Sequence, residues 1–263
     1  MKIFVICAAA LLLGNLSVSQ AQVSSKIKDV LGKLGTSSTD STKKATTTTN
    51  ASVSNSPVTK TEANNALKQA LSNGLQTSIK SLSVQNGYLG DAVVKILMPE
   101  EAQKVEKALR AVGMGSLCDQ FITSMNRAAE TAVSEAGTVF VNSLSKMTIQ
   151  DGYNILLSEQ QNAATNYFRT NTNAELTTKF TPVIESAMGK NQVSTYWTQL
   201  TTAYNKLPLS SKVNTDLTAY VTQKAIDGLF VKVADQELKI RQNLGGARST
   251  ELLSKVFGWV DSQ

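Results

Sequence analysis

Apolar residues recur at helical spacing through most of the chain after Thr61. In the first segment they follow the i, i+3, i+4 pattern of one helix face, which predicts a helix over residues 61–82. No stretch alternates apolar and polar residues between turn signals in the way that strands do. The pattern therefore predicts an all-α domain over residues 61–263. The stripe of the first helix comprises Leu67, Ala70, Leu71, Leu75 and Ile79.

A proline and a glycine bound the next helix, and a long apolar stripe follows it. Pro99 stands in the tolerated first turn, ahead of two acidic residues, and Gly113 ends the segment. From residue 116 to 146 one apolar face then continues for roughly 45 Å of helix. Because its other side carries small neutral residues such as Thr123 and Thr131, we expect this helix at the centre of a single multi-helix bundle.

Shorter helices are predicted after the central one. They cover residues 148–157, 161–170, 172–188, 194–206, 212–243 and 249–260. Three of their starts resemble capping boxes, in which two side chains three residues apart bond each other's backbone amides. These are Thr148-x-x-Asp151, Ser158-x-x-Gln161 and Thr172-x-x-Glu175. We therefore expect each of the three to mark a helix N-terminus.

Residues 1–21 have the order of a secretory signal peptide. Lys2 is followed by an apolar run from Ile3 to Leu13, and Ser19 and Ala21 are small residues at the positions that a signal peptidase reads. The run is much shorter than the ~20 residues that a transmembrane helix needs, and no later stretch qualifies. We therefore expect an exported protein, periplasmic or secreted, without a transmembrane segment after cleavage.

Residues 22–60 form a Ser/Thr-rich basic tail, which we expect to be flexible and disordered because it has little apolar surface to bury. Six lysines and two aspartates give residues 23–60 a net charge of +4, whereas 19 basic and 18 acidic residues follow from residue 61. So balanced a domain lacks the basic patch that binds a phosphate backbone, and we expect no nucleic-acid partner. Residues 23–35 combine helical apolar spacing with lysines, which leaves contact with a membrane surface open.

The residue inventory narrows the chemistry. The chain has no histidine, and Cys118 is the single cysteine after the predicted signal peptide. Histidine-based acid/base catalysis, Ser-His or Cys-His nucleophile pairs and the usual zinc sites are therefore excluded, and no metal or other cofactor is predicted. We interpret Cys118 as a small buried hydrophobe rather than a reactive thiolate.

Several short strings within residues 61–260 resemble a bacterial envelope family called domain of unknown function 4197. The segment Leu157-Ser158-Glu159-Gln160 departs from the glycine-containing turn expected there. The resemblance implies an exported, mostly helical domain, and it supplies no catalytic residues. The matching strings are Asn126-Arg127-Ala128-Ala129-Glu130, Met147-Thr148-x-x-Asp151, Ala163-Ala164-Thr165-x-Tyr167-Phe168-Arg169, Asp227-Gly228-Leu229-Phe230, Glu237-x-x-Ile240-Arg241 and Ala247-Arg248-Ser249-Thr250 with Val256-Phe257-Gly258.

Charged residues in these strings fall inside apolar helix faces. Glu237 shares a stripe with Phe230 and Val233, and Glu130 shares one with Phe140. Buried charges must be paired or lose their charge, so we expect these residues to meet one another, with Glu130 and Arg241 in one cluster. The candidate site residues are Asn126, Arg127, Glu130, Asp151, Tyr167, Arg169, Asp227, Glu237 and Arg241.

Three interpretations of these residues remain open. The first is a structural ion-pair network, and the second is a polar pocket in which arginines anchor a small anionic or glycan ligand. The third uses Glu130 and Glu237 as general acid and base in a carboxylate-dependent hydrolase of envelope glycans. The near balance of arginines and carboxylates favours the structural network, and overall we predict a non-enzymatic helical structural or ligand-binding module.

Overall fold

The computed structural model describes residues 58–206 and 216–263. These residues form helices and two short 3₁₀ segments, and no strand occurs among them, which confirms the predicted all-α class. The predicted signal peptide and residues 22–57 of the predicted tail lie outside the described residues. The helices are α1 (Lys60–Leu82), α2 (Glu100–Ala111), α3 (Gly115–Ala132), α4 (Ala136–Lys146), α5 (Ile149–Leu156), α6 (Ala163–Lys190), α7 (Val193–Tyr204), α8 (Leu217–Arg241) and α9 (Glu251–Val260).

Helix α1 begins with a capping box that the sequence analysis missed. The Thr59 hydroxyl accepts the N–H of Glu62 at 3.2 Å, and the Glu62 carboxylate accepts the N–H of Thr59 at 2.9 Å. Val58 packs against the core. The helical domain therefore starts slightly before residue 61, and residues 58–60 belong to it rather than to the tail.

The predicted central helix is divided into α3 and α4 by one 3₁₀ turn, Val133–Glu135. Its apolar face continues through the turn, since Ala132, Val133 and Ala136 are all buried. Helix α3 packs against α2, α6, α7 and α8, while α4 packs against α1 and α6. The segment thus has neighbours on several sides, which confirms its predicted place at the centre of the bundle.

Two predicted helices are a single helix, and two of the predicted capping boxes are wrong. The Thr172 hydroxyl, in the middle of α6, donates to the carbonyl of Phe168 at 2.7 Å instead of capping a new helix. Ser158 accepts the N–H of Gln160, and Asn162 occupies the position before α6. The third box is confirmed, because Thr148 and Asp151 cap α5 reciprocally.

The core lies where α1, α4, α6 and α8 meet. Phe140 makes edge contacts with Phe168 and Phe230, with ring centroids 5.6 Å and 6.0 Å apart. Cys118 is buried as predicted, and burial raises the pKa of its thiol. Within residues 58–206 and 216–263, no helix has both the length and the apolar character that a membrane span requires.

Residues 83–99, which we call the 83–99 connection, join α1 to α2 without regular helix or strand. Tyr88, at its middle, is fully buried, and its hydroxyl donates to the carbonyl of Ala225 in α8 at 2.7 Å. Gly228 makes this contact possible, because a Cβ there would lie 2.7 Å from the Tyr88 ring. Side chains from the helices, rather than a ladder of its own, therefore hold this connection in place.

Candidate functional site

Glu130 binds the 83–99 connection from α3. Its side chain is 5% exposed, and one carboxylate oxygen accepts the consecutive N–H groups of Tyr88 and Leu89 at 3.1 Å and 3.2 Å. The other oxygen pairs with Arg127 at 2.5 Å. A buried carboxylate is tolerated only when it is paired and bonded in this way.

Asn126 and Arg127 extend the same attachment along the connection. The Asn126 amide accepts the N–H of Ile96 at 2.9 Å and donates to the carbonyl of Ile96 at 2.8 Å, so it pairs with the backbone as a neighbouring strand would. Arg127 donates to the side-chain oxygen of Asn86 at 2.7 Å. Three residues of one helix turn thereby hold the connection at three points.

Glu237 and Arg241 form a second buried group, at the start of α6. The Glu237 carboxylate is 5% exposed and accepts the N–H groups of Ala164 and Thr165 at 2.9 Å and 2.8 Å, together with the Thr165 hydroxyl. Arg241 binds Glu237 through two nitrogens at 3.0 Å. It also donates to the carbonyl of Ile155 at 2.9 Å, which fixes the end of α5.

Arg169 and Asp227 pair across α6 and α8 at 2.8 Å, but this pair is on the surface. Their side chains are 40% and 39% exposed, and Gln223 shares the Asp227 carboxylate at 3.2 Å. The guanidinium of Arg169 lies 4.6 Å from the centre of the Phe230 ring, a cation–π contact. The two residues therefore pair with each other as expected, but at a half-buried position rather than inside the domain.

Asp151 and Tyr167 lie in a third place, next to Lys68 of α1. Asp151 caps α5, and its hydrogen bonds with Thr148 hold the pKa of its carboxyl below the ordinary value. Burial raises the pKa of the Tyr167 hydroxyl, and the negative charge of Asp151 adds to that shift. Burial lowers the pKa of Lys68, while Asp151 partly opposes the change. Among the residues that the structure describes, Asp151 forms no ion pair with an arginine.

The structure divides the predicted cluster into separate groups. The pairs Arg127–Glu130, Arg169–Asp227 and Arg241–Glu237 form as expected, yet within the described residues no hydrogen bond or ion pair links Glu130 to Arg241. The single cluster predicted for these two residues therefore does not form. Both lie on core-facing stripes, but on different helices and against different segments.

Arg248, which was not among the predicted site residues, binds the C-terminal end of α8. Its side chain is only 8% exposed, and its nitrogens donate to the carbonyls of Ile240, at 3.0 Å, and Arg241. A third nitrogen pairs with Asp261 at 2.5 Å. The last carbonyls of a helix have no N–H donor within the helix, and the Arg248 guanidinium supplies donors for two of them. The string Ala247-Arg248-Ser249-Thr250 was the available signal, because an arginine just past a helix end suits this role.

The two buried glutamates do not have the geometry of a glycosidase. A general acid and base must face an open cleft, with room for the sugar and, in inverting enzymes, a water. Here the oxygens of Glu130 and Glu237 are occupied by backbone amides and arginines. The cavity beside Glu237 and Arg241 holds about 10 Å³, about one water. These residues act as internal attachments.

A cleft of about 330 Å³ lies between α3 and the α6–α7 turn. Among the predicted site residues only Arg127 reaches it. The described part of the chain has no group of three or more carboxylate or thiol side chains placed to hold a metal ion. The cleft is lined by Ser116, Asp119, Gln120, Thr123, Ser124, Arg127, Asn191 and Tyr196.

Comparison with known proteins gives one result, at the level of the family. A search of curated proteins and a search of solved structures found no match. A family model described as "Protein of unknown function (DUF4197)" matches residues 57–258. This range covers the helical domain almost from end to end, including each attachment described above. The chain therefore belongs to the DUF4197 family.

Proposed function

We propose that this protein is an exported, non-enzymatic binding module of the cell envelope, in which a rigid helical domain presents a polar cleft to a small ligand. Export rests on the signal-peptide pattern of residues 1–21. The observation that carries the binding role is that most of the cleft's uncharged side chains form no hydrogen bond within the described part of the protein. Five of the six have no hydrogen-bond partner among the described residues, namely Ser116, Gln120, Thr123, Asn191 and Tyr196, while the sixth, Ser124, bonds within its own helix.

The contrast with neighbouring side chains supports this role. In the cleft lining itself, Ser124 donates to the carbonyl of Phe121 at 2.7 Å, and about two turns further along α3 Thr131 donates to that of Arg127 at 2.9 Å. Such local bonds are the usual solution for a hydroxyl within a helix. Thr123 makes none, so its hydroxyl stays available to a ligand.

The closed pairs of the interior support a scaffold rather than catalysis. Glu130 holds the 83–99 connection, and that same carboxylate fixes Arg127 at the wall of the cleft. A wall that is already positioned loses less conformational freedom when a ligand binds. The glycan-hydrolase alternative lacks support, because its two carboxylates are occupied.

Native mass spectrometry of protein purified from its own exported fraction tests the proposal. We expect a mature chain that begins at Gln22 and carries a retained small molecule. Gln120→Trp fills the cleft and should abolish the retained mass, whereas Gln199→Trp, on the exposed side of α7, should keep it. An intact Met1 would contradict export. A wild-type protein that never carries a ligand, with its fold intact, would contradict the binding role.

A further inference from the structure

We infer that the cleft between α3 and the α6–α7 turn takes an uncharged, hydroxyl-rich ligand, namely a saccharide of about one or two rings. This inference rests on the proposed binding function and adds the chemical class of the ligand. Three features of the cleft support it: the balanced charges of its walls, the hydrogen-bonding capacity of its unpaired side chains, and its size.

The two charged residues of the cleft are opposite in sign and already paired. Asp119 accepts from Arg110 at 2.6 Å, and Arg127 is bound to Glu130 at 2.5 Å and to Asn86 at 2.7 Å. A ligand anion would have to compete with the Glu130 carboxylate for Arg127 and would also approach Asp119. The cleft therefore favours a neutral ligand over a carboxylate or a phosphate.

The uncommitted groups match the hydroxyls of a sugar. Gln120 and Asn191 each offer two amide donors and one carbonyl acceptor, while the hydroxyls of Thr123 and Tyr196 each donate and accept. Sugar hydroxyls also act as donor and acceptor at once, so both sides of each contact are used. A site whose polar groups are matched in this way rejects analogues that lack a hydroxyl.

The apolar part of the cleft and its volume agree with a small saccharide. Tyr196 supplies an aromatic surface, which suits the carbon face of a pyranose ring, and its hydroxyl adds a polar tip. Small-molecule sites typically enclose about 300–1,000 Å³. Here the volume of about 330 Å³ belongs to a depression that is wide open to solvent, so only a short part of a longer glycan would contact its walls.

Titration calorimetry of the mature protein with matched sugars tests the inference. The neutral probes are N-acetylglucosamine and glucose, and their charged counterparts are N-acetylmuramic acid and glucose 6-phosphate. We expect at least one neutral sugar to bind with a Kd in the range of roughly 0.1–5 mM, and each charged counterpart at least about tenfold more weakly. Equal or tighter binding of the charged sugars would overturn the inference.

Three variants locate the sugar in this cleft. Gln120→Ala removes a double hydrogen-bonding group and should weaken binding about tenfold, whereas Gln199→Ala, an exposed glutamine of α7, should not change it. Tyr196→Phe keeps the ring, removes only the hydroxyl and should weaken binding about threefold to tenfold. If Gln120→Ala fails to fold, Tyr196→Phe alone still shows whether the sugar binds in this cleft. Neutral binding unaffected by the cleft variants would place the sugar elsewhere and contradict the inference.

Failure of this inference is distinguishable from failure of the proposed function. If no sugar binds, neutral or charged, the saccharide class is wrong. The native mass spectrum then decides the rest: a retained mass lost in Gln120→Trp leaves the binding module intact with another ligand. If the cleft also holds nothing when the protein is isolated from its own source, both proposals fall.

Discussion

Glu130 and Glu237 make the same kinds of contact with two different segments, the 83–99 connection and the start of α6. Each is 5% exposed, each accepts two consecutive backbone N–H groups, and each pairs with an arginine on its own helix. Glu237, which lies on α8, contacts the first turn of α6, where helix geometry leaves backbone amides without acceptors. Glu130 serves the 83–99 connection, which has no regular structure to satisfy its amides.

The two glutamates differ in the hydrogen-bond acceptor that each one replaces. Asn162 precedes α6 but makes no side-chain cap bond, so Glu237, 72 residues beyond Thr165, takes over the capping role. Its negative charge also complements the positive end of the helix dipole. Glu130 gains no such dipole benefit. We therefore expect Glu237 to contribute more to global stability and Glu130 more to local order.

Glu237→Ala should have the largest effect, a loss of about 3–5 kcal/mol in the free energy of unfolding. The change leaves Arg241 without its carboxylate and two amides of α6 without an acceptor. Urea denaturation followed by circular dichroism measures it. The control is Glu185→Ala, an exposed glutamate of α6, the helix that Glu237 caps, which should change stability by less than about 0.5 kcal/mol. A loss below about 1 kcal/mol for Glu237→Ala would show that the cap is dispensable.

Glu130→Ala should cost less, roughly 2–3 kcal/mol, because the 83–99 connection can open locally and let water reach its amides. Hydrogen exchange separates the two glutamates. The amides of Tyr88 and Leu89 should exchange faster in Glu130→Ala, while those of Ala164 and Thr165 should keep their wild-type protection. Uniform acceleration throughout the domain would mean that the connection and α6 unfold as one unit, against the distinction drawn above.

Gly228→Ala tests the connection from the side of α8 and should destabilise by about 1–3 kcal/mol. A Cβ at this position would lie 2.7 Å from the Tyr88 ring and 3.2 Å from Val94. Gly189→Ala is the matched control, since a Cβ there meets nothing within 4 Å, and alanine is the better helix former. Thermal melting compares the two. Equal melting temperatures would show that Tyr88 moves aside without cost.

Asp227→Ala should change stability by less than about 1 kcal/mol, because its ion pair with Arg169 is about 40% exposed on both sides. The same denaturation assay as for Glu237→Ala gives a direct comparison between a surface pair and a buried one. A loss of several kcal/mol would contradict the assignment of this pair to the surface and return it to the predicted internal network.

The smallest effect concerns pH and the cap of α1. The bond from Lys255, followed by those from Thr59, lowers the pKa of the Glu62 carboxyl from 4.5 to about 2. A carboxyl with a lowered folded pKa adds stability above the unfolded pKa and loses it as pH falls through the folded one. Between pH 4.5 and 2 the wild-type melting temperature should therefore fall more than that of Glu62→Gln. Parallel curves would contradict this.

The sequence predicted the helices well where apolar spacing and backbone breakers agree. Pro99 and Gly113 bound α2 as predicted, although Pro99 is the residue just before the helix rather than in its first turn, and Gly113 follows its end with a positive φ of 84°. Thr172-x-x-Glu175 misled, because the same hydroxyl bonds equally well to the carbonyl four residues earlier within a continuous helix. The capping box formed by Thr59 and Glu62 has the same Thr-x-x-Glu pattern, so it could have been predicted from the sequence.

The site was predicted in part. The pairs within one helix, Arg127 with Glu130 and Glu237 with Arg241, follow from spacings of three and four residues. Their remaining partners are backbone amides of Tyr88, Leu89, Ala164 and Thr165, which have no side-chain signature, so the sequence could not name them. For the same reason the sequence could not show whether the charged residues form one cluster or two separate groups that bind different segments.

The hydroxyl of Tyr88 finds its acceptor 137 residues further along the chain, in α8. During synthesis, the 83–99 connection thus emerges long before the helix that covers it. Contacts of such sequence separation are closed late and slow the folding of a domain. A chain that ends before α8 leaves Tyr88 exposed to water and to other chains, and such surfaces are the ones that aggregate or bind chaperones. The 83–99 connection, near the start of the helical domain, is therefore completed only once α8 is available to cover it.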